Sequence, residues 1–260
     1  MLTATDLVFR VGRRALLEHA SAAFAPGRLH LIIGPNGAGK STFVKLLARL
    51  IEPDAGRVQY DGLDARTLGH RDLARRRAVL SQAVEVAFPI PARELVMMGR
   101  YPHFTGRPTA ADEAICDEVM AFFDVTSLGE QSYATLSGGE KQRVNFARVL
   151  AQVWRPTGQG CRYLFLDEPL TFLDIRHQLT FMKKVRSFAD QPDVIVVGVV
   201  HDLNLAARFA DRLVLIDGGR IIADGTRDEV LTPAHLLEAF DVEPIAIRNP
   251  AGGGLHLIFE

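Results

Sequence analysis

Residues 34–42 read Gly34-Pro35-Asn36-Gly37-Ala38-Gly39-Lys40-Ser41-Thr42, which fits the spacing G-x-x-x-x-G-K-[ST] of a phosphate-binding loop. The chemistry dictates the residue types. A polyphosphate needs many donors close together, and only backbone without Cβ atoms wraps it that tightly. Gly34, Gly37 and Gly39 permit that wrap, so that successive N–H groups form an anion nest. Lys40 adds a point charge for β- and γ-phosphates, and the Ser41 hydroxyl is a ligand for Mg²⁺.

Four further places carry chemistry. Tyr163-Leu-Phe-Leu-Asp167-Glu168-Pro169 is an apolar run ending in two carboxylates. Asp167 is placed to reach Mg²⁺, and Glu168 to orient or deprotonate a water. Leu136-Ser137-Gly138-Gly139-Glu140-Lys141-Gln142 opens with the capping-box spacing S-x-x-E. Two glycines in a first helical turn cost about 1 kcal/mol each relative to alanine. A helix start with bare N–H groups is an anion site, so the sequence holds two such starts far apart. His201 closes the apolar run Val194–Val200, where a neutral imidazole can bond a γ-phosphate and its water. Gln82 also stands at a predicted strand end, within reach of Mg²⁺ or water. A strand-ending acidic turn, a lone histidine or a lone glutamine is ordinarily structural; it is the phosphate loop in the same chain that gives these residues a role.

The elements that must position them follow from periodicity. Leu29–Ile33 is a short apolar run expected of a buried parallel strand. After the loop, Phe43, Leu46, Leu47, Leu50 and Ile51 share one helical face, so a helix N-terminus points at the phosphates. Residues 2–33 read as strands with turns at Val11-Gly12-Arg13-Arg14 and Pro26-Gly27. Arg57–Tyr60 is another strand, followed by a hairpin turn at Asp61-Gly62. His70–Arg77 is helical, and its basic end Arg75-Arg76-Arg77 is expected to be a solvated face or a charge complement to the helix terminus. Ala78–Ser81 is a short strand, and from Pro89 to Trp154 the pattern is helical, with Ile115, Val119, Phe122 and Phe123 on one face. Val144, Ala147 and Ala151 mark the inner face of the helix begun at Ser137. Strands resume at Tyr163–Leu166, Val194–Val200 and Leu213–Ile216, separated by helices at Ile175–Phe188 and Leu203–Ala210. Such alternation predicts an α/β fold with a parallel sheet and right-handed crossovers, interrupted by a helical insertion. Leu255–Phe259 closes a terminal hairpin.

Composition narrows the classes. The chain has 260 residues, is 48% hydrophobic and carries a net charge of −1. No global field attracts nucleic acid or anionic lipid, and none is expected as a partner. Cys116 and Cys161 form no metal-ligand pattern and fit two unpaired thiols in a reducing compartment. The first residues lack the pattern of a signal peptide, and no apolar run is long enough to span a bilayer, so a soluble, cytosolic chain is expected.

Together these residues resemble the ATP-binding subunit of an ABC transporter, over nearly the whole chain. Gly34–Thr42 matches the Walker A loop, Gln82 the Q-loop, Leu136–Gln142 the signature with Glu140 in place of the usual glutamine, Leu164–Glu168 Walker B with its catalytic glutamate, Asp174 the D-loop aspartate and His201 the H-loop. A P-loop kinase or GTPase would lack Leu136–Gln142, and non-transport ABC ATPases usually carry tandem units or coiled-coil inserts. The resemblance implies a single ABC ATPase domain over 1–260, with a RecA-like P-loop NTPase core at about 1–88 and 155–260, an N-terminal antiparallel β subdomain and a helical subdomain at about 89–154. It implies ATP and Mg²⁺, and a head-to-tail homodimer in which each ATP lies between the Walker A loop of one copy and Ser137-Gly138-Gly139 of the other. It further implies integral-membrane permease subunits, indirectly a periplasmic or extracellular substrate-binding protein, and peripheral attachment at the cytoplasmic face of the inner membrane. The slot for an adenine-stacking aromatic holds Val11, with Phe9 two residues earlier, and the D-loop reads Leu170-Thr171-Phe172-Leu173-Asp174. Phe88-Pro89 and Glu94–His103 look like importers of ferric siderophores, cobalamin and haem; Ala151–Pro156 resembles the haem-importing type.

Overall fold

The computed structural model describes residues 1–80, 89–158, 160–170, 173–248 and 255–259, with backbone alone for 245–248. The chain opens with β1 (Leu2–Val11) and β2 (Arg14–Phe24), joined by the predicted Gly12 turn. Then come β3 (Arg28–Ile33), α1 (Lys40–Leu47), β4 (Ala55–Tyr60), β5 (Leu63–Asp64), α2 (His70–Arg76) and β6 (Arg77–Leu80). The helical stretch holds α3 (Ala92–Met97), α4 (Ala110–Phe122) and α5 (Gly138–Val153). The second half runs β7 (Arg162–Leu166), α6 (Ile175–Ala189), β8 (Val194–Val199), α7 (Leu203–Phe209), β9 (Arg212–Asp217) and β10 (Arg220–Gly225). It ends with α8 (Arg227–Val230), α9 (Pro233–Phe240), β11 (Ile245–Arg248) and β12 (Leu255–Ile258).

Two sheets carry the molecule. The first is antiparallel, in the order β2-β1-β4-β5. The second runs β10-β9-β3-β8-β7-β6 and is parallel except for β10, which pairs antiparallel with β9 at the edge. Strands β7 and β8 are buried at every position, which explains the apolar runs Tyr163–Leu166 and Val194–Val199. Their period of two still sorts side chains. Leu164, Leu166, Val194 and Val196 join the core under the helical stretch. Tyr163, Phe165, Ile195 and Val197 join the core shared with α1 and the antiparallel sheet.

Local chemistry explains the boundaries. The Asp61-Gly62 hairpin has left-handed φ of 50° and 83° at its two central residues, as a type I′ turn requires. The α1 helix stops earlier than the apolar spacing suggests. Arg49 takes a left-handed φ of 50°, so Leu50 turns outward and is 49% exposed, while Phe43, Leu46 and Leu47 are buried. The predicted face therefore ends one turn short. Of the two readings of the arginine run, the solvated face fails: Arg76 is buried and ion-paired with Asp61, and Arg75 donates to the Pro102 carbonyl at 2.9 Å, while both stand in the last turn of α2 as a charge complement would. Asp61, placed by its turn beside Arg76, also accepts the N-terminal amine at 2.6 Å and the Cys161 N–H at 3.0 Å. Both cysteines are free thiols, as expected.

Arg162, at the start of β7, is 1% exposed and uses its whole guanidinium. It donates to Asp193 at 2.7 and 2.8 Å, to Gln191 at 2.6 Å, and to the carbonyls of Val153 and Trp154 at 2.9 and 2.6 Å. This one side chain ties the sheet to the end of α5. Arg162→Met removes one partner of a buried pair and strands several acceptors, a change that costs about 3–5 kcal/mol. The urea midpoint followed by far-UV circular dichroism checks this; a loss under about 1 kcal/mol contradicts the role.

Candidate functional site

Strands β3, β8 and β7 are neighbours in the parallel sheet, so their carboxyl ends lie side by side. This is where ligands bind in open α/β sheets. β3 ends at Ile33 and feeds the loop 34–39. At Gly34, φ is 148° and a Cβ would lie 2.0 Å from the Ile216 carbonyl oxygen. At Gly39, φ is 102° and a Cβ would lie 2.5 Å from the Leu16 carbonyl oxygen. Both positions therefore demand glycine by conformation and by space. Gly219 pins the loop from outside, its N–H donating to the Ala38 carbonyl at 3.0 Å.

Lys40 opens α1 and is 5% exposed. Its ammonium donates to the Gly34 and Pro35 carbonyls at 2.9 and 2.7 Å, folding back over the loop. Burial lowers its pKa from the ordinary lysine value, while the charges of Glu168 and Asp167 oppose that fall. The lysine and both carboxylates thus share one electrostatic neighbourhood. The neighbouring Ser41 hydroxyl donates to Asp167 Oδ1 at 2.7 Å, linking the loop to the end of β7. A hydroxyl and a carboxylate held together are hard oxygen donors, the set Mg²⁺ prefers.

Glu168 follows with a left-handed φ of 52°, uncommon for a residue with a side chain and worth about 1–3 kcal/mol of strain. The turn aims its carboxylate across the sheet to His201, just beyond β8, with Oε1 2.9 Å from Nε2. Chain separation hides this contact; the parallel register of β7 and β8 creates it.

The second predicted anion site forms as a helix start. Ser137 caps α5 with its hydroxyl on the Glu140 N–H, and the Glu140 carboxylate accepts the Ser137 N–H at 2.9 Å. Val144, Ala147 and Ala151 face the core, as their spacing requires. A Cβ added at Gly138 or Gly139 would touch nothing within 4 Å. Asp174 caps α6, accepting the His177 N–H at 2.8 Å. Gln82 and Phe88 lie outside the described residues, as do Thr171 and Phe172.

These features stand beside known proteins as follows. Residues 17–171 match the family model described as ABC transporter. A protein of Gloeobacter violaceus named "Hemin import ATP-binding protein HmuV" is 44% identical over 97% of this chain and 92% of its own length. The proteins of the same name from Methylobacillus flagellatus and Escherichia coli O157:H7 are 40% and 38% identical, over 97% and 96% of this chain and 94% and 96% of their own lengths. The chain belongs to the ABC transporter family. Among solved structures, a metal-chelate type ABC transporter in an inward-facing conformation superposes with a TM-score of 0.83 at 21% identity, over all of this chain and 96% of its own. A nucleotide-free ATP-binding cassette superposes with a TM-score of 0.78 at 19% identity, over 91% and 97%. Both share the fold.

Val11, expected in the adenine-stacking slot, is 60% exposed, whereas Phe9 is packed against the core. Two further contacts support the site. Gln142 donates to the Pro169 carbonyl at 2.7 Å, joining α5 to the turn just after Glu168. Gly219 belongs to the β9–β10 hairpin, whose signal is Asp217-Gly218-Gly219 between apolar runs.

Proposed function

We propose that this chain is the ATP-hydrolysing subunit of an ABC importer that brings haem through a membrane permease. The carrying observation is the convergence of Lys40, the Ser41–Asp167 pair and the Glu168–His201 pair at adjacent strand ends. The choice of haem is supported by the relatives named as hemin import proteins, which match this chain nearly end to end. Ferric siderophore and cobalamin are the competing cargoes.

The residues divide the chemistry between them. The loop 34–42 holds the β- and γ-phosphates, with Lys40 moving its donors from the Gly34 and Pro35 carbonyls to phosphate oxygens. Ser41 and Asp167 would hold Mg²⁺, which neutralises phosphate charge, and Gln82 is assigned beside them. Glu168 accepts a proton from the water that attacks the γ-phosphorus as the bond to the ADP oxygen breaks. His201 holds the Glu168 carboxylate in line and bonds the γ-phosphate. Ser137, Gly138, Gly139 and Glu140 present the N-terminus of α5 to the nucleotide of a second copy, and Asp174 lines that interface. Among the described residues nothing requires two glycines at 138 and 139, and a ligand approaching from outside supplies the reason. Closure of such a homodimer would move the core, about 1–88 and 155–260, against the helical stretch, about 89–154. The surface around Tyr101, 57% exposed, would meet the permease at the cytoplasmic face of the inner membrane. A periplasmic or extracellular binding protein would deliver the cargo from the other side.

Uptake by the reconstituted transporter tests the reading, with haem, a ferric siderophore and cobalamin offered in turn. ATP-dependent entry of haem alone is expected. Entry of another cargo instead overturns the haem assignment, and no ATP turnover with any of them overturns the motor.

A further inference from the structure

A cavity of about 290 Å³ opens between the end of α4, α5 and α6. Its floor is Phe123, Phe146 and Phe181, with the Phe146 and Phe181 rings stacked 4.0 Å apart. Its rim is cationic. Arg143, Arg176 and Lys184 face it, against one carboxylate, Asp124. Lys184 is already engaged, donating to Asp124 at 2.8 Å. Among the described residues, Arg143 Nε is buried without a hydrogen-bond partner, its guanidinium feels the Glu140 carboxylate, and the exposed Arg176 guanidinium has no ion pair.

A buried guanidinium N–H without an acceptor is costly, and water alone is a poor substitute for a carboxylate fork. The local excess of positive charge is notable in a chain whose net charge is −1. An apolar aromatic floor beneath a cationic rim selects a particular chemistry. It excludes bare inorganic ions, which would leave the rings unused, and neutral aromatics, which would leave the arginines unpaired. The volume is near the lower end of small-molecule sites. His177 adds an imidazole edge, fixed by its Nδ1 contact with Asp174 at 2.9 Å.

We propose that this cavity binds a compact organic anion with a flat apolar body and one or two carboxylate or phosphate groups. The ring lies on Phe146 and Phe181, and the anionic group takes Arg143 and Arg176. The occupant bridges α5, capped by Ser137, and α6, capped by Asp174. The site stands on its own residues and does not depend on which cargo is transported.

The probe is benzene-1,3-dicarboxylate, titrated into the full-length chain by calorimetry and by saturation-transfer NMR, with and without ADP. Benzyl alcohol and benzylammonium are the neutral and cationic controls. Binding of the dicarboxylate alone is expected, unaffected by ADP, and weakened tenfold or more in Arg143→Gln and in Arg176→Gln. Arg176 is exposed, so its variant folds even if Arg143→Gln does not. Equal affinity in the Arg176→Gln variant, competition by ADP, or no binding at about 10 mM probe overturns the proposal.

Discussion

Glu168→Gln is expected to bind ATP with undiminished affinity and to hydrolyse it at least about 100-fold more slowly, the lower end of what a positioned general base contributes. The substitution is nearly isosteric. It keeps an oxygen for the 2.9 Å contact with His201 and leaves Lys40 and the Ser41–Asp167 pair in place. It removes only the ability to take a proton from water. With chemistry blocked and binding intact, the ATP-loaded state should accumulate as a dimer, visible by size-exclusion chromatography with ATP and reversed when ATP is removed. Single-turnover hydrolysis at the wild-type rate would show that the proton goes elsewhere.

Lys40→Ala is expected to act on the opposite quantity, nucleotide affinity. The lysine is 5% exposed, and its ammonium is the positive charge that heads α1. Two charge-assisted hydrogen bonds to phosphate oxygens are worth about 1.5–3 kcal/mol each, so their loss weakens ATP binding by about 10²- to 10⁴-fold. The free protein is affected less, because the Gly34 and Pro35 carbonyls that lose their donor lie at a loop. A calorimetric titration with a non-hydrolysable ATP analogue reads this out. Wild-type affinity in the variant would remove the loop from phosphate binding.

The loop was legible in the sequence because backbone geometry leaves no other choice. Gly34 and Gly39 sit where a Cβ would strike the Ile216 and Leu16 carbonyls, so the residue type reports the conformation directly. The Ser137–Glu140 box was legible for a similar reason, its two hydrogen bonds spanning only three residues. Long-range pairings were not. Nothing near Arg76 announces that Asp61, the first residue of a hairpin turn, is its partner. The run therefore reads as surface charge, although Arg76 is buried. Leu50 misleads in the opposite way. Its spacing continues the apolar stripe, but the chain breaks helix at Arg49 without a glycine or proline to mark the break. The Glu168–His201 contact required the strand order, which periodicity does not supply.

The α5 helix has 16 residues and so is about 24 Å long. Its far end is held through hydrogen bonds to backbone carbonyls, its own and those of the core. Arg100 donates to the Ala151 carbonyl at 2.7 Å, His103 meets the Gln152 carbonyl at 2.7 Å, and the Gln152 amide reaches back to Ala74 and Arg77 of the core. Ser137 and the Arg100–His103 turn are thus opposite tips of one lever. A tilt of about 10° about the midpoint swings each tip by about 2 Å, in opposite senses.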